Sequence, residues 1–232
     1  MIDWHSHILP AMDDGSRDLS ESLAMLQMQA EQGVQVAVAT PHFYANDESV
    51  EAFLQRRQES FDVLSVQLPP NAPKILLGAE VRYYQGISRW PELKKLCIQG
   101  SRVLLLEMPM CRWTEYMVRE LLELASMGSI QLVMAHIERY LPLQDGDVWA
   151  KLRECGVLMQ VNASFFRGFG NRRKALSLLE KGYIHGIGSD CHNTEARPPK
   201  IQEAFAYIEK KMGADYLRQM DAFGQELLGL SR

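Results

Sequence analysis

Two histidines near the amino terminus have the spacing of a metal site. The chain begins Met-Ile-Asp-Trp-His-Ser-His, so His5 and His7 lie two residues apart. Side chains two apart in a β-strand point to the same face, which would set both imidazoles side by side. Imidazole is the commonest metal ligand in proteins, and the following Asp13-Asp14-Gly15 turn adds carboxylates. For the pair alone, a metal site and a surface strand with two solvated histidines are equal alternatives.

Histidines and carboxylates recur at the ends of six of the seven apolar segments of the chain. They are His5, His7, His42, Glu80, Glu107, His136, Asp190 and His192. A single histidine at a strand end is usually structural. The carboxyl ends of parallel strands in an α/β barrel share one face, however, where the active site of this fold lies. We therefore predict that these residues converge on a metal centre.

The seven apolar segments alternate with longer amphipathic stretches. They are Met1–His7, Val34–His42, Lys74–Arg82, Arg102–Glu107, Gln131–His136, Gly156–Asn162 and Tyr183–Asp190. Their nearly continuous Val, Ile, Leu and Ala content is typical of strands buried on both faces of a parallel sheet. The stretches between them have helical periodicity, and Gly33 and Gly128 each end one apolar stripe. We predict an α/β protein of repeated βαβ units, with a single domain over residues 1–232.

The composition limits the classes of function. The 232 residues include 25 Lys and Arg and 29 Asp and Glu, giving a net charge of −4. This balance, without a basic run, argues against nucleic acid as the main partner. No apolar segment approaches the ~20 residues that span a membrane, and the amino terminus lacks a signal-peptide pattern, so we expect no membrane insertion. The four cysteines form no Cys-x-x-Cys pair, which favours a reducing, cytoplasmic location.

The ordered motifs resemble those of the PHP (polymerase and histidinol phosphatase) superfamily. The matching motifs are Asp3-x-His5-x-His7, Asp13-Asp14-Gly15, Thr40-Pro41-His42, Gly78-x-Glu80-Val81-Arg82, His136-x-Glu138-Arg139-Tyr140 and Ser189-Asp190-x-His192. Within the superfamily, the spacing is similar to that of bacterial tyrosine-protein phosphatases encoded with capsule and exopolysaccharide genes. The resemblance extends from Met1 to the region of Arg197. It implies a distorted (β/α)7 TIM-like barrel of the PHP type.

The resemblance also implies three divalent metal ions at the carboxyl face of the barrel. Transferred motif by motif, the first ion would bind His5, His7, Glu80 and Asp190, the second Glu80, Glu107 and His136, and the third Asp14, His42 and His192. Imidazole and carboxylate ligands suit manganese, iron, cobalt or zinc, and the resemblance favours manganese. The four carboxylates leave two positive charges on such a cluster, which would attract a phosphate dianion and acidify bound water.

Two arginines complete the implied site. Arg139 and Arg197 would contact the substrate phosphate, because a guanidinium binds phosphate oxygens through a planar fork and stays charged. Arg82 and Arg167 also lie near strand ends, and we interpret them as residues of helix or surface ion pairs. The expected reaction is hydrolysis of protein phosphotyrosine by in-line attack of an activated water. We identify no general acid.

The resemblance implies a protein partner as well. That partner is a bacterial tyrosine kinase that phosphorylates itself and controls capsule or exopolysaccharide synthesis. Two other functions share the motifs. A phosphoesterase acting on a small molecule such as histidinol phosphate or a nucleotide would keep the metal site, whereas a non-enzymatic interaction module would have lost ligands. The sequence leaves the formation of a homo-oligomer open.

The spacing of Cys191 and Arg197 is that of the Cys-x5-Arg loop of thiol-dependent tyrosine phosphatases. In that loop, backbone N–H groups bind the phosphate and lower the pKa of the thiol. Here the loop has no glycine, places Glu195 where an anion should bind, and sets the cysteine between two presumed metal ligands. We therefore interpret the spacing as a coincidence.

Aromatic residues near the predicted face are candidates for a groove that holds a phosphorylated ring. They are Phe43, Tyr44, Trp113, Phe165 and Phe166. For any single one of them, packing in the core is the simpler role. Phe165 and Phe166, directly after the sixth apolar segment, are the first pair to test.

Overall fold

The computed structural model describes residues 1–230, which form a curled parallel sheet with helices packed around it. The strands are β1 (Ile2–Ser6), β2 (Val36–Ala39), β3 (His42–Phe43), β4 (Lys74–Leu77), β5 (Glu80–Arg82), β6 (Val103–Glu107), β7 (Gln131–Met134), β8 (Leu158–Asn162) and β9 (Gly186–Gly188). The helices are α1 (Leu19–Glu31), α2 (Val50–Ser65), α3 (Glu115–Ser126), α4 (Gly146–Glu154), α5 (Phe169–Glu180), α6 (Gln202–Met212) and α7 (Ala214–Leu227). The last two residues of the predicted domain, 231 and 232, lie outside the described residues.

The strands form a distorted barrel in which every pairing is parallel. Their order is β1-β2-β4 in one portion and β3-β5-β6-β7-β8-β9 in the other. Backbone hydrogen bonds from Asp190 N to His5 O (2.8 Å) and from His7 N to Cys191 O (2.9 Å) join the segment after β9 to β1. The predicted α/β class and TIM-like barrel are therefore confirmed. Between β5 and β6, two short 3-10 helices (Ile87–Arg89 and Pro91–Leu96) replace an α-helix, which is one source of the distortion.

Two of the seven predicted strands are interrupted, which corrects the prediction of continuous segments. The segment Val34–His42 contains both β2 and β3, and Lys74–Arg82 contains both β4 and β5. Proline has no N–H group to donate, so Pro41 cannot continue the ladder of β2. The ladder resumes one step later, where His42 lies opposite Glu80. The interruption thus falls where two candidate metal ligands become neighbours.

Alternating positions of the strands fill two apolar clusters. The smaller cluster, in the barrel interior, includes Ile2, Trp4, Val38, Leu76, Val103, Leu105, Val133 and Ala135. The intervening positions, such as Ala37, Leu104 and Leu132, belong to a larger cluster that also contains helix residues such as Leu26 and Leu121. The interior is therefore a packed core rather than a pore, and it supports the loops at the carboxyl ends of the strands.

The helices begin and end where the sequence indicates. Asp18 caps α1 by accepting a hydrogen bond from Glu21 N (2.9 Å), and Gly33 follows the helix with a φ of +80° that favours glycine. In α3, Leu121 and Leu124 belong to the apolar stripe that precedes Gly128, and both are fully buried. None of the helices in the described part of the chain is long and apolar enough to cross a membrane.

Candidate metal centre

The carboxyl ends of the strands bring together all nine residues that the sequence proposes as metal ligands. Their nitrogen and oxygen atoms form four groups, within each of which the ligand atoms lie less than 4.8 Å apart. The groups are His7, Asp14, His42 and His192; His5, His7 and Asp190; His5, Glu80 and His136; and His42, Glu80 and Glu107. Because the groups share members, the nine residues form one continuous cluster.

Glu80 lies at the centre of this cluster and is buried. Its Oε1 is 2.8 Å from His136 Nε2, while its Oε2 is 3.0 Å from His42 Nδ1, 3.2 Å from His5 Nε2 and 3.4 Å from His7 Nε2. A carboxylate that faces imidazoles with both oxygens is placed to bridge two cations. The bridging role that the family resemblance implies for Glu80 stays a prediction.

The nine candidate ligands are not divided into three separate sets in the structure, because residues of different implied sets lie in the same group. His7, which the resemblance gives to the first ion, also lies with Asp14, His42 and His192 of the third, and its ring centroid is 3.9 Å from that of His192. Likewise, His42 lies with Glu80 of the second set. The three implied ligand sets therefore lie next to one another, and His7 and His42 each lie within reach of two of them.

The electrostatic potential of the cluster favours cations. Burial by itself lowers the pKa of His7, but hydrogen bonds with Asp13 and Glu80 outweigh burial and raise that pKa to about 10. Burial raises the pKa of Asp190, whereas His5 and His7 nearby lower it, and the net direction is down. The same buried negative charge that holds a proton on an imidazole attracts a metal cation.

Several polar atoms of the cluster have no hydrogen-bond partner among residues 1–230. Glu80 Oε2 and His42 Nδ1 are buried and lie 3.0 Å apart without the geometry of a hydrogen bond, and His192 Nε2 is also buried without a hydrogen-bond partner. Buried polar atoms in folded proteins nearly always have a partner, so these atoms indicate a missing ligand. Imidazole and carboxylate donors suit borderline-hard dications. The residues present therefore fit divalent metal ions.

Asp13 supports the cluster, although the sequence favoured its neighbour Asp14 as the ligand. Its Oδ2 accepts hydrogen bonds from His7 Nδ1 (2.6 Å) and His42 N (2.8 Å), and its Oδ1 accepts one from Gly15 N (2.9 Å). The first bond keeps a proton on Nδ1, so that Nε2 is the nitrogen that faces the cluster and would bind a metal ion in exchange for its proton. Only the pairing of two aspartates before a glycine hinted at this division of roles.

Two further supporting residues were missed by sequence reasoning. Asn162, at the end of β8, donates from Nδ2 to Asp190 Oδ2 (2.7 Å). This strand was the one predicted strand without a histidine or carboxylate at its end, and it contributes an amide instead. Tyr140 places its hydroxyl 3.2 Å from His136 Nδ1. Tyr140 belongs to one of the matching motifs, although sequence reasoning assigned it no role, whereas Asn162 lies outside those motifs and carried no signal.

Two candidate ligands have left-handed backbone conformations. His136 has a φ of +32° and Asp190 a φ of +52°. Such angles are uncommon for residues other than glycine and cost about 1–3 kcal/mol each when the surroundings enforce them. Both residues lie directly after the apolar part of a strand, where the turned backbone directs the side chain toward the cluster. Strain of this kind is typical of functional sites.

The two predicted phosphate-binding arginines lie beside the cluster. Arg139 donates to Asp190 Oδ2, and Arg197 Nη2 is 2.9 Å from Asp190 Oδ1. Both line a cleft of about 170 Å³, together with Arg167 and Lys200. The cleft therefore combines positive charge with direct contact to one candidate ligand.

Arg82 and Arg167 both form ion pairs, as the sequence interpretation expected. Arg82 Nη1 is 2.7 Å from Oε2 of Glu107, and the Arg82 side chain is 37% exposed. Arg167 Nε is 3.5 Å from Glu203 Oε2, and the two side chains are 41% and 64% exposed. The ion pair of Arg82 therefore involves a candidate metal ligand and borders the cluster.

The Cys191 loop lacks the features of a thiol-dependent phosphatase. Cys191 is fully buried, and burial raises the pKa of its thiol well above the ordinary value. The N–H groups of Glu195, Ala196 and Arg197 all donate to Asn193 Oδ1, at 3.1, 2.7 and 2.9 Å. They are therefore not free to bind a phosphate.

Most of the aromatic candidates for a groove are core residues. Phe43, Trp113, Phe165 and Phe166 are buried, whereas Tyr44 is 39% exposed. The ring of Tyr44 lies 5.4 Å from that of His42. Phe165 and Phe166 therefore do not form a groove wall, and Tyr44 is the one of the five that borders the cluster with an accessible ring.

The sequence matches a known protein family over most of its length. The family model for capsular polysaccharide synthesis, CpsB/CapC, matches residues 1–224. The tyrosine-protein phosphatase YwqE of Bacillus subtilis is 32% identical over 228 residues, covering 93% of this chain and 86% of YwqE. The tyrosine-protein phosphatase CpsB of Streptococcus pneumoniae is also 32% identical, covering 95% of this chain and 94% of CpsB.

Solved structures give the same relationship. This chain matches one solved structure with a TM-score of 0.84. That structure belongs to the crystal structures of YwqE from Bacillus subtilis and CpsB from Streptococcus pneumoniae, which are described as metal-dependent tyrosine phosphatases. It is 26% identical and covers 100% of this chain and 96% of its own. An amidohydrolase, at 11% identity and a TM-score of 0.57, shares the fold and covers 100% of this chain and 74% of its own.

Proposed function

Because the chain belongs to the CpsB/CapC family of capsular polysaccharide synthesis, we propose that it is a metal-dependent protein-tyrosine phosphatase. One observation carries the proposal, namely nine clustered imidazole and carboxylate side chains beside a cleft that contains two arginines. The relatives that match nearly the whole chain are tyrosine-protein phosphatases. The chain is thus an enzyme that hydrolyses phosphotyrosine.

The arginines of the cleft bind the phosphate. Arg139 and Arg197 now pair with Asp190, and the oxygens of an entering phosphate offer both guanidinium groups a second acceptor. As charge develops on the phosphoryl oxygens, both donors are already in place and need no reorganisation. Divalent ions in the cluster would supply Lewis-acid polarisation of the phosphate and a bound water of lowered pKa.

Other residues keep these groups in position. Asn162 holds Asp190 through a 2.7 Å hydrogen bond, so the carboxylate stays fixed between the arginines and the imidazoles. Cys191 takes no covalent step, because its thiol is buried and its pKa is raised. The reaction therefore does not pass through a phosphocysteine, and the metal-activated water that we propose requires no phosphoenzyme.

We further propose three divalent ions, with manganese expected and iron, cobalt or zinc as alternatives. The four overlapping ligand groups support more than one ion, and the absence of cysteine from those groups argues against a soft metal. In this proposal, Glu80 would serve as a ligand in the first two sets, and Asp14, His42 and His192 would hold the third ion.

The proposed substrate is a phosphorylated tyrosine kinase of the capsule or exopolysaccharide pathway, and the proposed location is the cytoplasm. The family's role in capsular polysaccharide synthesis supports the pathway. The cysteines Cys97, Cys111, Cys155 and Cys191 are free, as is usual for proteins of a reducing compartment.

The test is the hydrolysis of a phosphotyrosine peptide and of histidinol phosphate, with and without a chelator. We expect turnover of the peptide to exceed that of histidinol phosphate, to stop with chelator and to return with added manganese. Glu80→Gln should lower the amount of bound metal and reduce activity. Loss of a residue that only supports a ligand typically costs about 10–100-fold, and we expect a larger loss here because Glu80 is a candidate ligand itself. Glu59→Gln, the same change at an exposed position of α2, is the control. Activity that persists in chelator, or a preference for histidinol phosphate, would contradict the proposal.

A further inference from the structure

The cleft beside the metal cluster has more positive charge than one phosphate requires. Its lining includes Arg139, Arg167, Arg197 and Lys200, against the single carboxylate of Asp190. A phosphate monoester has a charge of about −1.5 to −2 at pH 7. The proposed reaction uses only the two arginines that contact Asp190, so the two further cations of the same cleft have no role in it.

These two cations are free to bind an anion. Arg167 pairs with Glu203 at 3.5 Å, and because that pair is largely exposed it contributes little and can exchange. Lys200 is exposed and forms no ion pair within the described part of the chain. The other lining residues, such as Ser164 and Pro198, are uncharged, so no second carboxylate of the lining competes for these groups.

The cations also come from different loops of the same face. Arg139 follows β7, Arg167 follows β8, and Arg197 and Lys200 follow β9. Convergence of three loops makes one continuous wall, with the phosphate-binding arginines next to the cluster and the other two cations beside them. In an extended peptide, side chains two residues apart share a face and lie about 7 Å apart along the chain, so an acidic side chain two residues from a phosphotyrosine faces the same wall.

We propose that Arg167 and Lys200 form a second anion-binding subsite, which selects phosphotyrosine substrates with another negative group close in sequence. The proposal rests on the phosphatase function proposed above and adds the class of peptide that it prefers. The second group is a carboxylate or a phosphate, because a guanidinium and an ammonium bind both.

The experiment compares three peptides of one sequence that differ beside the phosphotyrosine, with glutamine, glutamate or phosphoserine at the flanking positions. We expect kcat/KM for the glutamate peptide to exceed that for the glutamine peptide by about three- to tenfold, as two partly exposed ion pairs provide. A larger gain with phosphoserine would identify phosphate as the preferred group, and equal gains would identify charge alone. The preference should fall as ionic strength rises.

The variant Arg167→Ala/Lys200→Ala should lower the glutamate-to-glutamine ratio to about one, since both ion pairs are lost. The matched control is Arg218→Ala/Lys210→Ala, which removes an arginine paired with Asp215 on α7 and an exposed lysine on α6. The control should keep the wild-type ratio. Equal loss of kcat/KM for both peptides would mean that the two cations only steer substrates by their general field, and the subsite would be wrong.

Binding measurements separate this inference from the proposed function. Fluorescence polarisation with peptides that contain a non-hydrolysable phosphonate analogue of phosphotyrosine measures affinity without turnover. A preference for the acidic analogue that is lost in the double variant would support the subsite even if no phosphotyrosine substrate were hydrolysed. Active enzyme with no preference for acidic peptides in either assay would overturn the subsite and leave the phosphatase function in place.

Discussion

Asp13→Asn should weaken metal binding although Asp13 is not among the nine candidate ligands. The carboxylate accepts three hydrogen bonds, from His7 Nδ1, from the backbone N–H of His42 and from that of Gly15. An asparagine has the same shape but only one oxygen, and its other terminus is a donor. In its better orientation the oxygen stays toward the two histidines, and the amide then faces the N–H of Gly15.

The expected size of the effect follows from these contacts. A donor left unsatisfied in a partly buried site costs about 1–3 kcal/mol. The bond to His7, now to a neutral acceptor, falls to about half the strength of the charge-assisted one. Changes of residues that orient a metal-binding imidazole typically lower affinity by about 10–100-fold. That range corresponds to about 1.4–2.7 kcal/mol.

The assay is a titration of metal-free protein with manganese, followed by calorimetry and by elemental analysis after dialysis. We expect Asp13→Asn to bind manganese about 10–100-fold more weakly than wild type, with activity restored at higher metal concentration. Asp47→Asn, the same change at an exposed position after β3, should leave binding unchanged. Melting of the metal-free proteins separates a local effect from general unfolding. If the variant folds and its affinity stays within twofold of wild type, the orienting role of Asp13 is wrong.

Two further variants test other parts of the site. Cys191→Ser should retain most phosphatase activity because the buried thiol takes no covalent step. If the thiol were the nucleophile, the same variant would lose several powers of ten in rate. Steady-state rates measured at full metal content distinguish the two mechanisms. Gly15→Ala should lower the free energy of unfolding by about 1–3 kcal/mol and reduce bound metal. The reason is that its Cβ would lie 2.4 Å from both Cβ and the carbonyl oxygen of His7. Gly146→Ala, with nothing within 4 Å, is the control for thermal melting, and equal stability of the two variants would refute the reasoning.

The sequence by itself determined the class of fold and the composition of the site. Nearly continuous apolar segments can be buried only as central strands, and their alternation with amphipathic stretches requires βαβ units. The ends of such strands share one face, so residue type and spacing were enough to name the candidate ligands. The order of the motifs was also enough to indicate the family, which the comparisons confirm.

Only the tertiary structure decided which groups touch. His5 and Glu80 are far apart in the chain, and their 3.2 Å approach depends on how the barrel closes. The burial of Phe165 and Phe166 depends in the same way on helices that pack from elsewhere. The left-handed backbone at Asp190 is a local feature, but it is enforced by packed neighbours rather than by the propensity of aspartate.

The division of roles between Asp13 and Asp14 shows the physical reason most clearly. Both are aspartates in the same turn with the same chemistry, and only the family resemblance singled out Asp14 as a ligand, without giving Asp13 a role. In the fold, one carboxylate lies 2.6 Å from His7 Nδ1, and the other lies 3.4 Å from the Nε2 atoms of His42 and His192. Sequence specifies which groups are present, whereas their roles depend on distances of a few ångströms that are fixed only when strands remote in the chain pack together.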